Sequence, residues 1–349
     1  MLFWLLATTG TGRVLRDVSS AAGDALSGAI AADTLTRWFY TVALVLVHEA
    51  GAAATAYYGG FVIDRRYGLS TQRQTGWWAD RAKSVALLTL LACAGVSLVY
   101  WTIGVSSTWW WLLSGVLCTG LLVAIANVAP LVLLPLFYRI EPIARESLRA
   151  RLVALAHRAN TRVLGAYEWG LGEKSRCANA AVTGLGAARR ILVSDTMLAD
   201  YSDDEIEVVL AHEIAHHVHG DLWKGLFVEA GVLTAGLFIA SNALAIWAAG
   251  SGRQGITDIA GLPVILLALS AVFLMVSPAA SALSRARERS ADRFAIGLTG
   301  NPAAFVSAMR RLGAQNLAEE QPSAIVRLLF HTHPPLAERI AAAEGRRQP

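Results

Sequence analysis

Charge is what this chain has least of. Only 16% of its 349 residues are Asp, Glu, Lys or Arg, against about a quarter in a soluble domain. Lysine is nearly missing: Lys83, Lys174 and Lys224 are the only three among 30 Lys and Arg. With 55% hydrophobic residues and a mean hydropathy of +0.46, this scarcity excludes an ordinary soluble globule and a disordered chain alike. The net charge of +4 sits on arginines beside apolar runs. That pattern reads as membrane topology and headgroup contact, and no nucleic-acid partner is expected. Cysteine is sparse too. Cys93 and Cys118 fall in apolar runs and Cys177 stands alone, which excludes a disulfide framework or cysteine metal site and leaves small buried hydrophobes. No internal repeat is present.

What the chain does have is long apolar runs, at about 38–62, 84–103, 109–137, 226–249 and 259–276. They predict about five membrane spans, the last ended by Pro278. Met1–Leu6 is too short to span and lacks the basic start of a signal peptide, while Ser19–Asp33 reads as either an interfacial helix or a loose segment. Arginine is concentrated in 64–83, 139–222 and 284–349. These segments are therefore expected on one side, taken as cytoplasmic, with the N-terminus outside. Trp77-Trp78 and Trp109-Trp110-Trp111 suit the interfaces. His48-Glu49, in the middle of the first span, has Ala52 where a second zinc histidine would stand, and the pair is expected to be satisfied by a neighbouring helix.

From Arg139 the composition becomes that of a soluble domain. Arg145–Arg158 has helical periodicity, and Tyr167–Trp169, Ala178–Thr183 and Arg190–Ser194 read as short strands. The last two are joined through Gly184-Leu185-Gly186-Ala187-Ala188 as a hairpin. Ser202-Asp203-Asp204-Glu205 then opens a helix that carries His212-Glu213-Ile214-Ala215-His216. Histidines four apart share one helical face and can grip one zinc ion, and Glu213 between them can take a proton from water. The polar residues flanking this motif argue against an intramembrane site. A catalytic zinc normally has three protein ligands. After the two later spans, Glu288 and Asp292 return four apart on one face of a probable helix. Glu288 can be the third ligand, and Asp292 can accept a hydrogen bond from the far nitrogen of a ligand histidine. The alternative is a solvated charged face among four arginines; the zinc motif upstream favours the ligand.

Together His212-Glu213-Ile214-Ala215-His216, Glu288-x-x-x-Asp292 and His333-Pro334-Pro335-Leu336-x-x-Arg339-Ile340 resemble the membrane zinc metalloproteases that include the CAAX prenyl endopeptidases and the heat-shock protease HtpX. Arg66-Tyr67-Gly68-Leu69-Ser70-Thr71-Gln72, with Trp77 and Lys83, resembles the CAAX branch in particular. So does Asn179-Ala180-x-x-Thr183-Gly184 ahead of Arg190–Thr196. The resemblance covers roughly residues 55–345. It implies a mainly α, multi-span integral membrane protein with a cytoplasmic α+β gluzincin-type zinc metalloprotease domain carrying a small β-hairpin. One Zn2+ per chain would be held by His212, His216 and Glu288. Glu213 would be the general base, with Asp292 behind the ligands. His333 and Arg339 would lie by the substrate carbonyl, and Asn179 on an edge strand that pairs with an extended peptide. His217, His219 and His331 are not expected to be ligands.

The implied organisation is a membrane region over 1–137, the first part of the protease domain over 138–222, two spans over 223–280, and the rest of the protease domain over 281–349. Eukaryotic CAAX endopeptidases have seven spans where this chain has about five, and its Ala/Gly/Arg-rich composition looks bacterial. The expected activity is therefore hydrolysis of membrane-associated or misfolded proteins at a bacterial inner membrane. Prenyl endopeptidase activity and a catalytically silent membrane metallo-sensor are the alternatives. The expected partners are a peptide or protein substrate and the lipid bilayer, with no obligate protein partner.

Overall fold

The computed structural model describes residues 2–345 except 29, 185, 187–188, 252–254 and 320–321. In chain order the helices are α1 (Leu2–Thr8), α2 (Thr11–Leu26), α3 (Ala32–Tyr57), α4 (Asp64–Arg66), α5 (Gln74–Val105), α6 (Trp110–Val128), α7 (Leu134–Phe137) and α8 (Glu146–Arg158). They continue with α9 (Asp195–Asp200), α10 (Asp203–Val218), α11 (Asp221–Ser251), α12 (Leu262–Thr299), α13 (Pro302–Gln315), α14 (Ala324–Phe330) and α15 (Leu336–Ala343). The strands are β1 (Ile140–Pro142), β2 (Ala166–Trp169), β3 (Ala180–Thr183) and β4 (Arg190–Ser194).

Among the described residues, five helical stretches are long and apolar enough to cross a membrane: Ala32–Arg66, Gln74–Val105, Trp110–Phe137, Asp221–Gly250 and Ile259–Thr299. The five spans expected from hydropathy are there, and all but the third helix outrun the apolar runs read from the sequence. Pro278 departs from expectation. It lies inside α12 rather than at its end. A proline removes one N–H and one ladder bond, a loss that membrane helices tolerate when neighbouring groups take up the freed carbonyl.

The residues form two compact units. The first comprises Met1–Phe61, Gln74–Val123 and Leu226–Val276. Its core gathers Tyr40, Leu44, Tyr100, Ile103, Trp110, Leu237 and Leu244. Small residues let helices approach closely there. A Cβ on Gly115 would meet the Thr234 side chain at 2.6 Å. Of Ser19–Asp33, left open between interfacial helix and loose segment, residues 19–26 belong to α2, which turns Gly12, Ser19 and Gly23 inward. Glu49 is answered by Arg81 of α5, and His48 Nδ1 stands 3.5 Å from the same carboxylate.

The second unit comprises Val62–Arg73, Ala124–Gly225 and Ser277–Pro349. Its four-stranded sheet has the order β1-β2-β4-β3. The β3–β4 pair is antiparallel, as the hairpin reading expects. Gly184 and Gly186 both have positive φ (87° and 58°), while Leu185, Ala187 and Ala188 of the connection lie outside the described residues. Two features go beyond the sequence reading. β2 and β4 are parallel, and β1 adds antiparallel to β2. β1 is three residues long and ends in Pro142, too short and too interrupted to show a period of two.

The loop over 66–72 is tied down in this unit. Thr71 N donates to Lys174 O (3.1 Å), Arg176 N to Leu69 O (2.8 Å) and Thr71 Oγ1 to Gly172 O (2.8 Å). The core runs through Leu148, Leu152, Ile191, Val193, Ile206, Leu210, Ile214 and Phe305. α10 lies in the middle of this core, with nine of its sixteen residues buried.

Candidate metal centre

α10 is one of the most firmly specified elements of the second unit. Ser202 Oγ accepts from Glu205 N and the Glu205 carboxylate accepts from Ser202 N, a closed capping box. Ile206, Leu210 and Ile214 are fully buried on one side. On another face, His212 and His216 present their rings 5.0 Å apart, centre to centre. α12 brings Glu288 between them: its Oε2 is 3.1 Å from His212 Nε2 and its Oε1 is 3.4 Å from His216 Nε2.

These separations fit a metal. A tetrahedral ion with arms of about 2.0–2.1 Å has ligand-to-ligand edges of about 3.3 Å. His212, His216 and Glu288 offer donor atoms all within 4.8 Å of one another. Glu288 Oε2 is buried and, although two imidazole nitrogens lie within 3.1 Å, makes a well-directed hydrogen bond to neither. Acceptors that crowd a common point without a proton aligned between them suit a shared cation.

Each histidine has its own carboxylate behind it. His212 Nδ1 is 2.9 Å from Asp292 Oδ1, and His216 Nδ1 is 3.0 Å from Asp221 Oδ2. An ionised carboxylate only accepts, so both Nδ1 atoms donate and both Nε2 lone pairs face Glu288. Asp292 is the residue singled out from sequence. Asp221 was not. It follows His216 by five positions, past Gly220 at φ +67°, and the helical i, i+4 rule stops at the turn that brings it back.

Burial opposes charge on His212, but the Asp292 and Glu288 carboxylates beside it outweigh burial and push the pKa up to about 9. His216 moves the same way: burial is overcome by Glu288 and Asp221. Glu213 is raised chiefly by burial, against the pull of the two histidines. A carboxyl lifted from its usual range is better matched to proton transfer near neutrality.

Arg339 borders the same cavity as Glu213 and His333, with its guanidinium committed to Asp292. Its Nε and Nη2 clasp Asp292 at 2.9 and 2.6 Å, and it is largely buried. The 3.4 Å approach of Nη2 to His212 Nδ1 is a packing contact, because that nitrogen's hydrogen is committed to Asp292. His333 is largely exposed and its Nδ1 is 2.8 Å from Glu288 Oε2. His217 donates Nε2–H to Val182 O (2.9 Å), and burial lowers its pKa. His219 packs edge-on against Phe294.

Two cavities meet at Glu213. One, of about 660 Å³, is bordered by Asn179, Ala180, His212, His333 and Arg339. The other, of about 450 Å³, is bordered by Val182, His216, Asp221 and Arg287. β3 is the edge strand that passes both. Asn179 just precedes it and is spent on the ladder: its O accepts from Ser194 N and its N donates to Ser194 Oγ. The alternation of an antiparallel ladder therefore turns the main-chain groups of Ala180 and Val182 away from β4, where Val182 O already accepts from His217 Nε2.

A model of peptidase family M48 matches residues 142–347, more than half of the chain. The chain belongs to peptidase family M48. A second model, the CAAX prenyl protease N-terminal region with five membrane helices, matches residues 2–139 of this M48 member, where three described helices are long and apolar enough to span. The M48 member is 30% identical over 289 residues to the uncharacterized metalloprotease YhfN of Bacillus subtilis, covering 82% of this chain and 68% of that protein. It is 24% identical over 292 residues to the probable CAAX prenyl protease 1 of Schizosaccharomyces pombe, spanning 82% of this chain and 61% of that one. With a protease HtpX homolog of Trichormus variabilis it shares 31% identity over 255 residues, covering 67% of this chain and 80% of that one. The crystal structure of S. mikatae Ste24p matches its fold with a TM-score of 0.81 at 21% identity, over 88% of this chain and 76% of that one. The chain is thus a membrane metalloprotease of the family that includes the CAAX and HtpX relatives.

Proposed function

We propose that this protein is an integral-membrane zinc endopeptidase that hydrolyses peptide bonds of membrane-associated or misfolded proteins, with its catalytic unit on the cytoplasmic side. The observation that carries it is the convergence of two imidazoles and a buried carboxylate at tetrahedral spacing, with Glu213 beside them at the meeting of two cavities. Nitrogen and oxygen donors in a three-ligand set that leaves a position open suit catalytic zinc. His212, His216 and Glu288 would hold the ion. Bound zinc would supply Lewis acidity, lowering the pKa of a water and polarising a carbonyl.

The rest is the work of this chain. Asp292 and Asp221 hold the two imidazoles in the tautomer that turns Nε2 to the centre. Arg339 neutralises and aims Asp292. Glu213 accepts a proton from the attacking water and returns it to the leaving amine. His333 stands on the exposed side, where a donor can reach the developing oxyanion. An extended peptide pairs with the edge of β3 at Ala180, running past Asn179. In this reading 1–137 and 223–280 are the membrane regions, and 138–222 with 281–349 make up one protease domain. The arginine-rich segments support the cytoplasmic side, and the bacterial relatives support an inner membrane.

Glu213→Gln tests the reading: cleavage of an unfolded or membrane substrate disappears while zinc content stays near one per chain. Retained cleavage would sink it. The match of 2–139 to a CAAX prenyl protease region favours a second reading, prenyl-protein endopeptidase activity. Faster cleavage of a farnesylated C-terminal peptide than of its unmodified twin would select it.

A further inference from the structure

α14, Ala-Ile-Val-Arg-Leu-Leu-Phe, has no buried residue. Ile325 is 70% exposed, Leu328 50% and Phe330 73%, so apolar side chains point outward all round the helix. Seven residues rise about 10 Å. A helix this short gains too little from its own hydrogen bonds to persist in water, and it normally depends on packing an apolar face. Among the described residues none packs over α14 closely enough to bury it, yet both of its ends are anchored. Ser323 caps the start, accepting from Val326 N. At the far end, buried Arg285 of α12 donates to Arg327 O (2.9 Å) and His331 O (2.6 Å).

That anchor is informative in two ways. Arg285 is the first charged residue of α12, after the uncharged stretch 262–284, so the far end of α14 is pinned where charge first returns to that helix. Arg285 is also one turn before Glu288 on the same helix, and the segment it pins leads directly into His333, 2.8 Å from Glu288 Oε2. Arg327, the only charge in α14, is long enough to keep its head in the headgroup layer while its stem lies in hydrocarbon.

We propose that α14 docks into the bilayer surface, its occupant being the lipid acyl region, and that this docking sets the position of His333. The docking stands on the exposure and the Arg285 pin; the His333 half rests on the protease reading. The test uses the full chain with Cys93, Cys118 and Cys177 changed to Ala, in phosphatidylcholine–phosphatidylglycerol vesicles. Spin labels are placed in turn at Ile325→Cys, Leu329→Cys and, as a water-facing reference, Glu146→Cys. Oxygen should relax the labels at 325 and 329 more than a water-soluble nickel chelate does, with the reverse at 146. Nickel-dominated relaxation at both would overturn docking, and exclusion of both reagents would mean that a second copy or another protein covers the helix.

Ile325→Ser with Leu329→Ser should lower kcat in vesicles about tenfold or more through misplacement of His333, with unchanged metal content. Ile325→Leu with Leu329→Ile should keep the rate. Docked labels with no loss of rate in the serine pair would overturn the coupling alone. Failure of the protease reading, seen as cleavage surviving Glu213→Gln, leaves the accessibility result standing.

Discussion

His212 and His216 sit on neighbouring turns of one helix, yet they are oriented by carboxylates from different places. Asp292 reaches His212 from α12, while Asp221 reaches His216 from just beyond the α10 turn. Groups that fix a ligand's tautomer typically account for 10–100-fold in metal affinity. Asp221→Asn keeps the shape and weakens the acceptor. It should therefore raise the zinc dissociation constant about tenfold or more in a chelator competition, with the helical circular dichroism unchanged. Asp292→Asn should do the same and in addition leave the buried Arg339 guanidinium without its partner, so in metal-stripped protein it alone should lower the melting temperature. An unchanged dissociation constant in Asp221→Asn would show that its hydrogen bond does not hold the ligand. Of this site, the His212–Glu213–His216 group was legible because helical spacing puts it on one face, and Glu288 because a three-ligand metal needs it. Asp221 was hidden behind a turn whose direction depends on Gly220.

At the scale of elements, α10 and the α3–α5 pair carry the sharpest consequences. Glu205 closes the capping box, accepts from Ser307 Oγ at 2.6 Å and faces Arg311 at 3.5 Å. Burial works to raise its pKa, but those hydrogen bonds and the arginine outweigh it and hold the carboxyl below its ordinary value. A depressed folded-state pKa contributes stability that is whole above the unfolded value of about 4.3 and is lost as pH falls through the folded one. Glu205→Gln should therefore flatten the acid limb of a stability–pH curve, and Ser202→Ala should cost about 1 kcal/mol at neutral pH. An acid limb as steep as the parent's would remove Glu205 from that role.

In α3, Glu49 is balanced by Arg81. Arg81→Met should destabilise the protein by roughly 3 kcal/mol, the cost of an unpaired charge in a span, and Glu49→Gln added to it should recover most of that loss in a detergent melt. No recovery in the double variant would mean that the pair is not coupled. The sequence marked His48-Glu49 as needing a partner, but Arg81, which reads as part of a basic loop, is matched to it only by the packing of the two helices.

Taken whole, the chain supplies the site in three instalments. α10 and Glu288 are separated by α11 and the apolar part of α12, and α12 and the 331–339 segment by α13 and α14. Because the ligands come from segments far apart in sequence, an ion bound to the folded state and not to the unfolded one ties them together and stabilises the fold by mass action. Stripping the protein with a chelator should lower its melting temperature by several degrees, and stoichiometric zinc should restore it. A melting temperature indifferent to both would mean that the site is assembled without help from metal.

By itself the sequence determined the membrane setting, the number of spans, the helix that carries the histidine pair and the family resemblance. These depend on hydropathy averaged along the chain, on a period of 3.6 residues and on short motifs, all of which are local. Only the tertiary structure decided the parallel pairing of β2 with β4, the unbroken course of α12 through Pro278 and the Asp221 and Arg339 contacts. It also decided that Asn179 is spent on the β3–β4 ladder while Ala180 turns its main-chain groups away from β4, and that α14 has no buried residue. Each of these depends on which segments meet in space, and a linear pattern carries no record of a contact made across a turn or between distant helices.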